Sequence, residues 1–493
     1  MGHQQAISCR RAGAALGMSV CAMLAVAQAP KRNVNWFQLQ YWISFLKGPP
    51  ENLAPPPYST AVTSVSDTAG VLRAYFFVNT MSEAFESGLR TADHQVMDGN
   101  PSYDGSFTDL THSAIFVPKP GDVQSAYLIA WNRIPLQGTQ RFGWLELDLG
   151  ADSAPPQVIS AGYNWFMTGA ACKRMVVAHA NGEDYWFVAQ LVGTNEFHAY
   201  QVTNEGLSPT PVVSFAGAVA PIDHTHGKLI PTVDGTRFVS VSETLGFTEP
   251  TVAPSIAEVH SFDSGTGIVA HQLTLDPLAR LDGVEFSPSG RFLYATHWLY
   301  SNPVLTRELY QYDLEAADPN LSPVLMDSYL LGGLSGYTTN ILSHAPNGRI
   351  YMSNYVQSLS VINEPDLPYP QCDYEYDGFL ASGPPHCLPS FIKRYNDPPP
   401  VGPMVINGRI TAAQAVVMPN PLCGTGELRW AGASGAVDLH WMDVQGRVLR
   451  YETRTAQGDR VMLDARGFAA GQYLLRVEPR NETPTVLRVS VAD

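Results

Sequence analysis

The chain has 493 residues, 45% of them hydrophobic and only 15% charged, with 41 Gly, 38 Pro and a formal net charge of −15. No basic cluster is present that could neutralise a phosphate backbone, which argues against nucleic acid as a partner; the surplus acid instead favours solubility. So much Gly and Pro with so little charge, and no long segment of helical period, is the usage of a turn-rich β protein with very little helix.

At the N-terminus, Arg10 and Arg11 precede the uncharged, mostly apolar run Ala12 to Ala27, and Ala25-Val26-Ala27 places small residues before Gln28. This is the layout of an export signal over residues 1–27, cleaved after Ala27. Cleavage after Ala29 would leave Pro30 behind the cut. A lipid-attachment reading at Cys21 has Val20 where a small residue is wanted. Removing 1–27 takes two arginines and no acid, which moves the formal charge from −15 to −17. No later stretch is long and apolar enough to span a membrane as a helix, so no transmembrane segment is expected in the mature chain.

From residue 28 to 396 one local pattern recurs: an apolar run, a turn ending in Gly, then an aromatic or β-branched run. The glycines are Gly70, Gly121, Gly182, Gly235, Gly290 and Gly348, spaced by 51 to 61 residues. A repeat near 50 residues built of short strands is the signature of a β-propeller, with one blade per repeat. Asn181-Gly182, Asp234-Gly235 and Asn347-Gly348 supply residues that tolerate the positive φ of a tight hairpin. The strands expected after these turns include Tyr185–Val188, Phe238–Val241, Phe292–Ala295 and Ile350–Met352. Six repeats leave over residues 33–42 at one end and 358–366 with 390–395 at the other. A seventh blade assembled from both termini, with the strand around Trp36 pairing beside 358–395, would close the ring. A β-sandwich or an open array is the alternative, since hairpin signals do not prove closure.

Candidate chemistry is sparse. Asp223-His224-Thr225-His226 would put His224 and His226 on one face of a strand, a spacing compatible with a metal site, and His179 lies one blade earlier. With no Cys, Glu or third His nearby in sequence, a structural role at a blade edge is preferred, and no cofactor is expected. Ser261 to Gly267 begins like a sialidase Asp-box but lacks its ending; Asp263 and the glycines serve turn geometry. The chain has no Gly-x-Ser-x-Gly elbow, no His-Glu-x-x-His motif and no phosphate loop. Trp165, Trp186, Tyr294 and Trp298 read as core. Four cysteines follow the signal, and in an exported chain they admit three pairings. Cys372 and Cys387 bracket a Gly- and Pro-rich loop with 14 intervening residues and are the expected pair; the alternative is free thiols.

At 397–411 the prolines of Asp397-Pro398-Pro399-Pro400 and Pro403 make an extended spacer. Beyond it, over 412–493, Val437, Leu439 and Trp441 alternate onto one face, as do Tyr473, Leu475 and Val477, then Leu487, Val489 and Val491. A small immunoglobulin-like β-sandwich is expected there, which makes the whole chain all-β: a seven-bladed propeller followed by a sandwich.

The landmarks Pro419-Asn420-Pro421, Asp443-Val444-Gln445-Gly446-Arg447 and Gly471-Gln472-Tyr473-Leu474-Leu475 stand in this order at the C-terminal end. With them, residues 412–493 resemble the type A sorting domain of the Bacteroidetes type IX secretion system. The chain departs from that family in ending Val491-Ala492-Asp493, where the family usually carries a basic residue. Residues 28–396, through VPKPGD (117–122), HANGEDYWFV (179–188), GVEFSPSGRFLY (283–294) and APNGRIYMSN (345–354), resemble the WD-type propellers of gliding-motility-associated proteins delivered by the same system. The resemblance implies Sec export to the periplasm, recognition of the C-terminal domain by the type IX machinery, and an extracellular or cell-surface destination. It implies no catalytic residues.

Two functional classes follow. One is a non-catalytic binding, adhesion or scaffold propeller for a glycan or protein ligand; the other is a secreted propeller hydrolase acting on polysaccharide or peptide. Carboxylates converging at a mouth of the central channel would favour the hydrolase. A channel without them favours binding, the preferred reading.

Overall fold

The computed structural model describes residues 31–491 except 39–40, 47–49, 54–59, 79–87, 102–112, 135–138, 151–153, 244–254, 276–279, 302–303, 331–340, 355–357, 384–387, 394–415, 419–421, 423, 430–434, 443–447, 457–459, 470 and 480–484. The expected signal 1–27 and linker 397–411 therefore lie outside the described residues.

The fold is all-β; its helical content among the described residues is the 3-10 turn Pro319–Leu321 and one 3-10 position at Lys393. Antiparallel sheets succeed one another along the chain in the manner of propeller blades. They span 35–53, 60–91, 114–168, 170–215, 226–275, 280–330 and 342–380. The sheets at 170–215 and 226–275 join through one parallel bridge, Cys172 opposite His226. The four strands expected after the glycine turns are found, as Tyr185–Leu191, Arg237–Glu243, Phe292–Ser301 and Ile350–Ser353. Each is entered from a turn whose glycine has positive φ: +81° at Gly182, +70° at Gly235, +75° at Gly290 and +80° at Gly348. At Gly290 space adds to backbone, because a Cβ there would stand 2.9 Å from the Arg237 guanidinium.

Period-2 alternation buries one row of side chains on each face, so every pair of consecutive sheets shares an apolar core. Leu72, Tyr75 and Phe77 pack with Trp42 of the preceding sheet. Phe76 and Leu89 pack with Phe116, Leu128 and Leu145. Trp131 and Phe142 meet Val176 and Phe187, and Trp186 and Phe197 meet Phe238 and Phe262. Val239 and Val259 then meet Val284 and Leu293, while Tyr294 and Leu309 meet Ile350 and Met352. One further core joins the last sheet to the first: Tyr351, Leu359 and Val361 pack against Val34, Trp36, Tyr41 and Ile43.

This corrects the expected closure by a shared blade. Among the described residues the strand Asn35–Gln38 pairs with Tyr41–Ser44, which pairs with Glu51–Leu53, so the N-terminal segment makes its own meander. Residues 358–362 and 374–380 pair within the 342–380 sheet. The strand ladders of the first and last sheets close within each sheet, and the join is made by side chains, among them Asn52, whose Nδ2 donates to the Leu380 carbonyl at 2.8 Å and whose Oδ1 accepts from the Ser382 N at 3.0 Å. Of the expected segment 390–395, residues 390–393 are described and are not in the last sheet, while 394–395 lie outside the described residues.

Residues 416–491 form two further sheets. One holds Val416–Met418, Thr425–Arg429 and Arg460–Asp464; the other holds Val448–Ala456, Gly435–Met442, Gly471–Pro479 and Thr485–Val491. Their shared core contains Val437, Leu439, Trp441, Leu475, Val477 and Val489, the alternating residues read from the sequence.

Candidate functional site

The innermost strands of the successive sheets carry buried charge at positions where a two-faced strand would ordinarily be apolar. Arg174 interrupts the run of Ala170–Ala178, and Glu285 lies in Arg280–Phe286; each is 1% exposed. Both are satisfied by a segment far away in sequence, Leu388 to Lys393.

The backbone of this segment makes no strand ladder, and its neighbours belong to widely separated sheets. The Arg174 guanidinium donates to the Ser390 hydroxyl at 3.1 Å and to the Ala114 carbonyl. Thr63 Oγ1 donates to the Ser390 carbonyl at 3.2 Å, and Asn33 Nδ2 to the Ile392 carbonyl at 2.9 Å. The Phe391 ring stacks on Trp36, with centroids 6.3 Å apart, in the core between the last and first sheets. Ile392, pointing the other way, enters the core between the sheets at 114–168 and 170–215. Lys393 closes the series with a buried ion pair to Glu285. Glu285 Oε2 also accepts from the His344 backbone N at 2.9 Å, and Oε1 accepts from the Phe286 N at 3.1 Å. Six consecutive residues that touch this many sheets lie on the axis around which the sheets are arranged.

Arg174, Ile230, Ser343 and Ser390 line a void of about 10 Å³, the room of about one water molecule. Burial, reinforced by the Lys393 cation, pushes the His344 imidazole down to about 3. His344 is therefore neutral at physiological pH. Glu285 is thus held as an acceptor by two backbone N–H groups and an ammonium. A carboxylate so engaged is a poor general acid or base toward an incoming substrate.

A second polar cluster lies between the sheets at 170–215 and 226–275. Glu258 Oε1 accepts from the Ala218 N at 2.9 Å and the Thr274 hydroxyl at 3.2 Å. The His271 Nε2 lies 3.5 Å from Oε1, and the His260 Nε2 lies 3.7 Å from Oε2. His260 stacks on Phe238, with centroids 5.0 Å apart, and its pKa falls to about 3 through burial first, then the charges of His271 and Lys173.

The residues singled out from sequence are placed as follows. His226 begins the strand His226–Pro231, with its ring edge-on to Trp131 at 5.9 Å and Nδ1 2.7 Å from the Thr225 hydroxyl. His224 is not on that strand; its N–H closes a turn on the Pro221 carbonyl, so the expected shared strand face is not formed. Among the described residues no three His, Cys, Asp or Glu side chains are arranged to hold a metal ion. His179 stacks on Trp186 with centroids 5.2 Å apart. Asp263 serves its turn, accepting from the Gly265 N at 2.8 Å. Cys372 stands as a fully buried free thiol beside the Tyr294 hydroxyl, its pKa pushed up to about 11 by burial. Its expected partner Cys387 lies outside the described residues, so the clamp is carried forward as a proposal. Of the sorting-domain landmarks, Pro419, Asn420, Pro421, Asp443, Gly446 and Arg447 lie outside the described residues. Gly471 opens the strand Gly471–Pro479, and Tyr473 Oη donates to the Ala469 carbonyl at 2.8 Å.

Sequence reasoning missed the axial set of Arg174, Glu285, His344, Ser390 and Lys393. The available signal was charge inside otherwise apolar inner strands, as in AACKRMVVA (170–178) and GVEF (283–286).

No family model matches the chain, and no curated protein matches it. Among solved structures it is similar to a candidate 6-phosphogluconolactonase from Bacteroides fragilis, 14% identical with a TM-score of 0.42, over 72% of this chain and 96% of that one. It is also similar to a periplasmic gluconolactonase from Pseudomonas aeruginosa, 14% identical with a TM-score of 0.39, over 72% and 98%. A third is the β-propeller domain of the trilobed protease from Pyrococcus furiosus, 8% identical with a TM-score of 0.26, over 76% and 93%. No helix among the described residues is long and apolar enough to cross a membrane.

Proposed function

We propose that this is an exported protein whose propeller works by binding, as an adhesion or scaffold module, and whose C-terminal domain is an export address. In this reading the successive sheets are seven blades of one closed ring, because each shares a core with the next and the last shares one with the first. Residues 1–27 are the signal, 28–396 the ring, 397–411 the spacer and 412–493 an immunoglobulin-like sorting domain read by the type IX machinery. The observation that carries the binding reading is the filled axis. Propeller chemistry is ordinarily assembled where the inner strands converge, and here Glu285 and Arg174 are committed to the chain's own Lys393 and Ser390. While that segment occupies the axis, ligand recognition is left to the faces of the ring.

Export is tested in a host that has the type IX machinery. The full chain should reach the surface or medium without its C-terminal domain, while a chain lacking 412–493 should remain folded in the periplasm. Surface delivery of the shortened chain, or a surface form that still contains Tyr473 to Val477, would overturn the address. Binding is tested by applying the full chain to glycan and matrix-protein arrays alongside chromogenic glycoside and peptide substrates. Saturable binding without turnover is expected; turnover would overturn the non-catalytic reading.

A further inference from the structure

The contacts of residues 390–393 are those of a bound ligand more than those of a strand. An extended segment is ordinarily recognised through its backbone carbonyls, for affinity, and through alternate side-chain pockets, for specificity. Both elements are present on the axis. Thr63 and Asn33 hold two carbonyls, at 3.2 and 2.9 Å. Phe391 and Ile392 fill two separate apolar pockets on opposite sides. The ends of the motif are read by charge: Arg174 donates to the Ser390 hydroxyl, and Glu285 pairs with the Lys393 ammonium. A buried carboxylate that already accepts two backbone N–H bonds still leaves a place for one cation, and a partner lacking that cation would strand it.

We propose that the axial channel is a binding site for an extended peptide with the pattern hydroxyl, apolar, apolar, cation. In the intact chain it is occupied in cis by Ser390-Phe391-Ile392-Lys393, and a partner chain that carries the pattern competes for it. The proposal rests on the non-catalytic reading of the channel. Because the cis segment is tethered, its effective concentration is of order ~mM, so a free peptide reaches the site only when the cis segment is weakened.

The test uses the full chain and a labelled synthetic peptide spanning Leu388 to Tyr395. The parent chain should show no saturable change in anisotropy, whereas the Phe391→Ala/Lys393→Glu chain should bind the peptide at least ten-fold more tightly. Replacing Lys by Glu in the peptide should abolish that binding. In a Glu285→Lys/Phe391→Ala chain the preference should invert, with the Glu-bearing peptide binding and the original failing. Folded variants that bind neither peptide, or a parent that binds as well as the variants, would overturn the proposal. If the double variants fail to fold, a Lys393→Gln chain replaces them. Excess peptide should then accelerate amide exchange over 388–393 at least ten-fold, and unchanged exchange would overturn the proposal. Bound peptide should be recovered intact by mass spectrometry. Cleaved peptide would overturn both this proposal and the non-catalytic reading, whereas failure to bind overturns this proposal alone.

Discussion

The interfaces between sheets and the axis they surround are built on opposite rules. Apart from the cluster around Glu258, the contacts described between sheets are aromatic and aliphatic, as where Phe142 meets Phe187 edge-on with centroids 5.0 Å apart, and many neighbouring shapes would serve nearly as well. On the axis, four side chains from four places in the chain each satisfy one polar group of a six-residue segment, and few alternatives would. Apolar burial supplies the stability of the ring in a non-directional way. The axial set supplies the choice of which segment lies at the centre, because a misplaced tail would leave Arg174 and Glu285 buried without their partners.

Trp36 belongs to both regions, since it lies in the core joining the first and last sheets and stacks on Phe391 of the axial segment. Trp36→Ala should cost about 3–5 kcal/mol, and the loss should appear in a single cooperative unfolding transition. A local loss confined to proteolysis of 31–53 would break the comparison by showing that the join is not shared with the ring.

Glu285→Ala tests the axis alone. Leaving Lys393 buried without its carboxylate should cost about 3 kcal/mol, read as a drop in Tm. The double substitution Glu285→Met/Lys393→Met should recover part of the loss, because it removes the stranded ammonium but still leaves the His344 and Phe286 N–H groups without the carboxylate they donate to. A double variant that loses the full amount would mean that the pair contributes more than mutual satisfaction.

Acid should weaken both regions together. His344 on the axis, His260 between sheets and His297 beside Tyr312 have folded pKa values of about 3, 3 and 4, each lowered chiefly by burial from an ordinary 6.5. The unfolded chain therefore takes up protons first. The stability these neutral imidazoles contribute is complete above about pH 6.5 and falls progressively toward pH 4. Urea midpoints measured from pH 7.5 to 4.5 should decline through this window. A His344→Gln chain should decline less steeply, and an identical slope would remove His344 from the account.

The proposed Cys372–Cys387 bridge would close a loop at the edge of the axial segment and stabilise it by about 2–4 kcal/mol. Peptide mapping of the exported chain without reduction should find the two linked; reduced Cys372 throughout would rule the bridge out. The smallest effect belongs to the surface. Arg291 pairs with Asp313 at 2.7 Å but is 43% exposed, so Arg291→Ala should change stability by about 0.5 kcal/mol or less, and less still in high salt.

Turns, strands and buried faces were legible from local sequence. The glycines of Asn181-Gly182, Asp234-Gly235 and Asn347-Gly348 take the positive φ of a tight turn, and alternation such as Val437, Leu439, Trp441 fixes a buried face before any partner is known, because both signals are complete within a few residues. The expected seventh blade built from both termini failed for the same reason that those succeeded. Residues 35–53 hold enough strand and turn signal to satisfy their own ladder as a meander, so nothing was left for 358–395 to complete. What the tertiary structure alone decided is the centre. Arg174 and Ser390 are 216 residues apart, and Glu285 and Lys393 are 108 apart. A buried charge in an apolar strand announces that it needs a partner, but its sequence carries no record of which distant segment provides one. That is settled only when the closing of the sheets brings their inner strands around a common axis and leaves one extended segment to fill it.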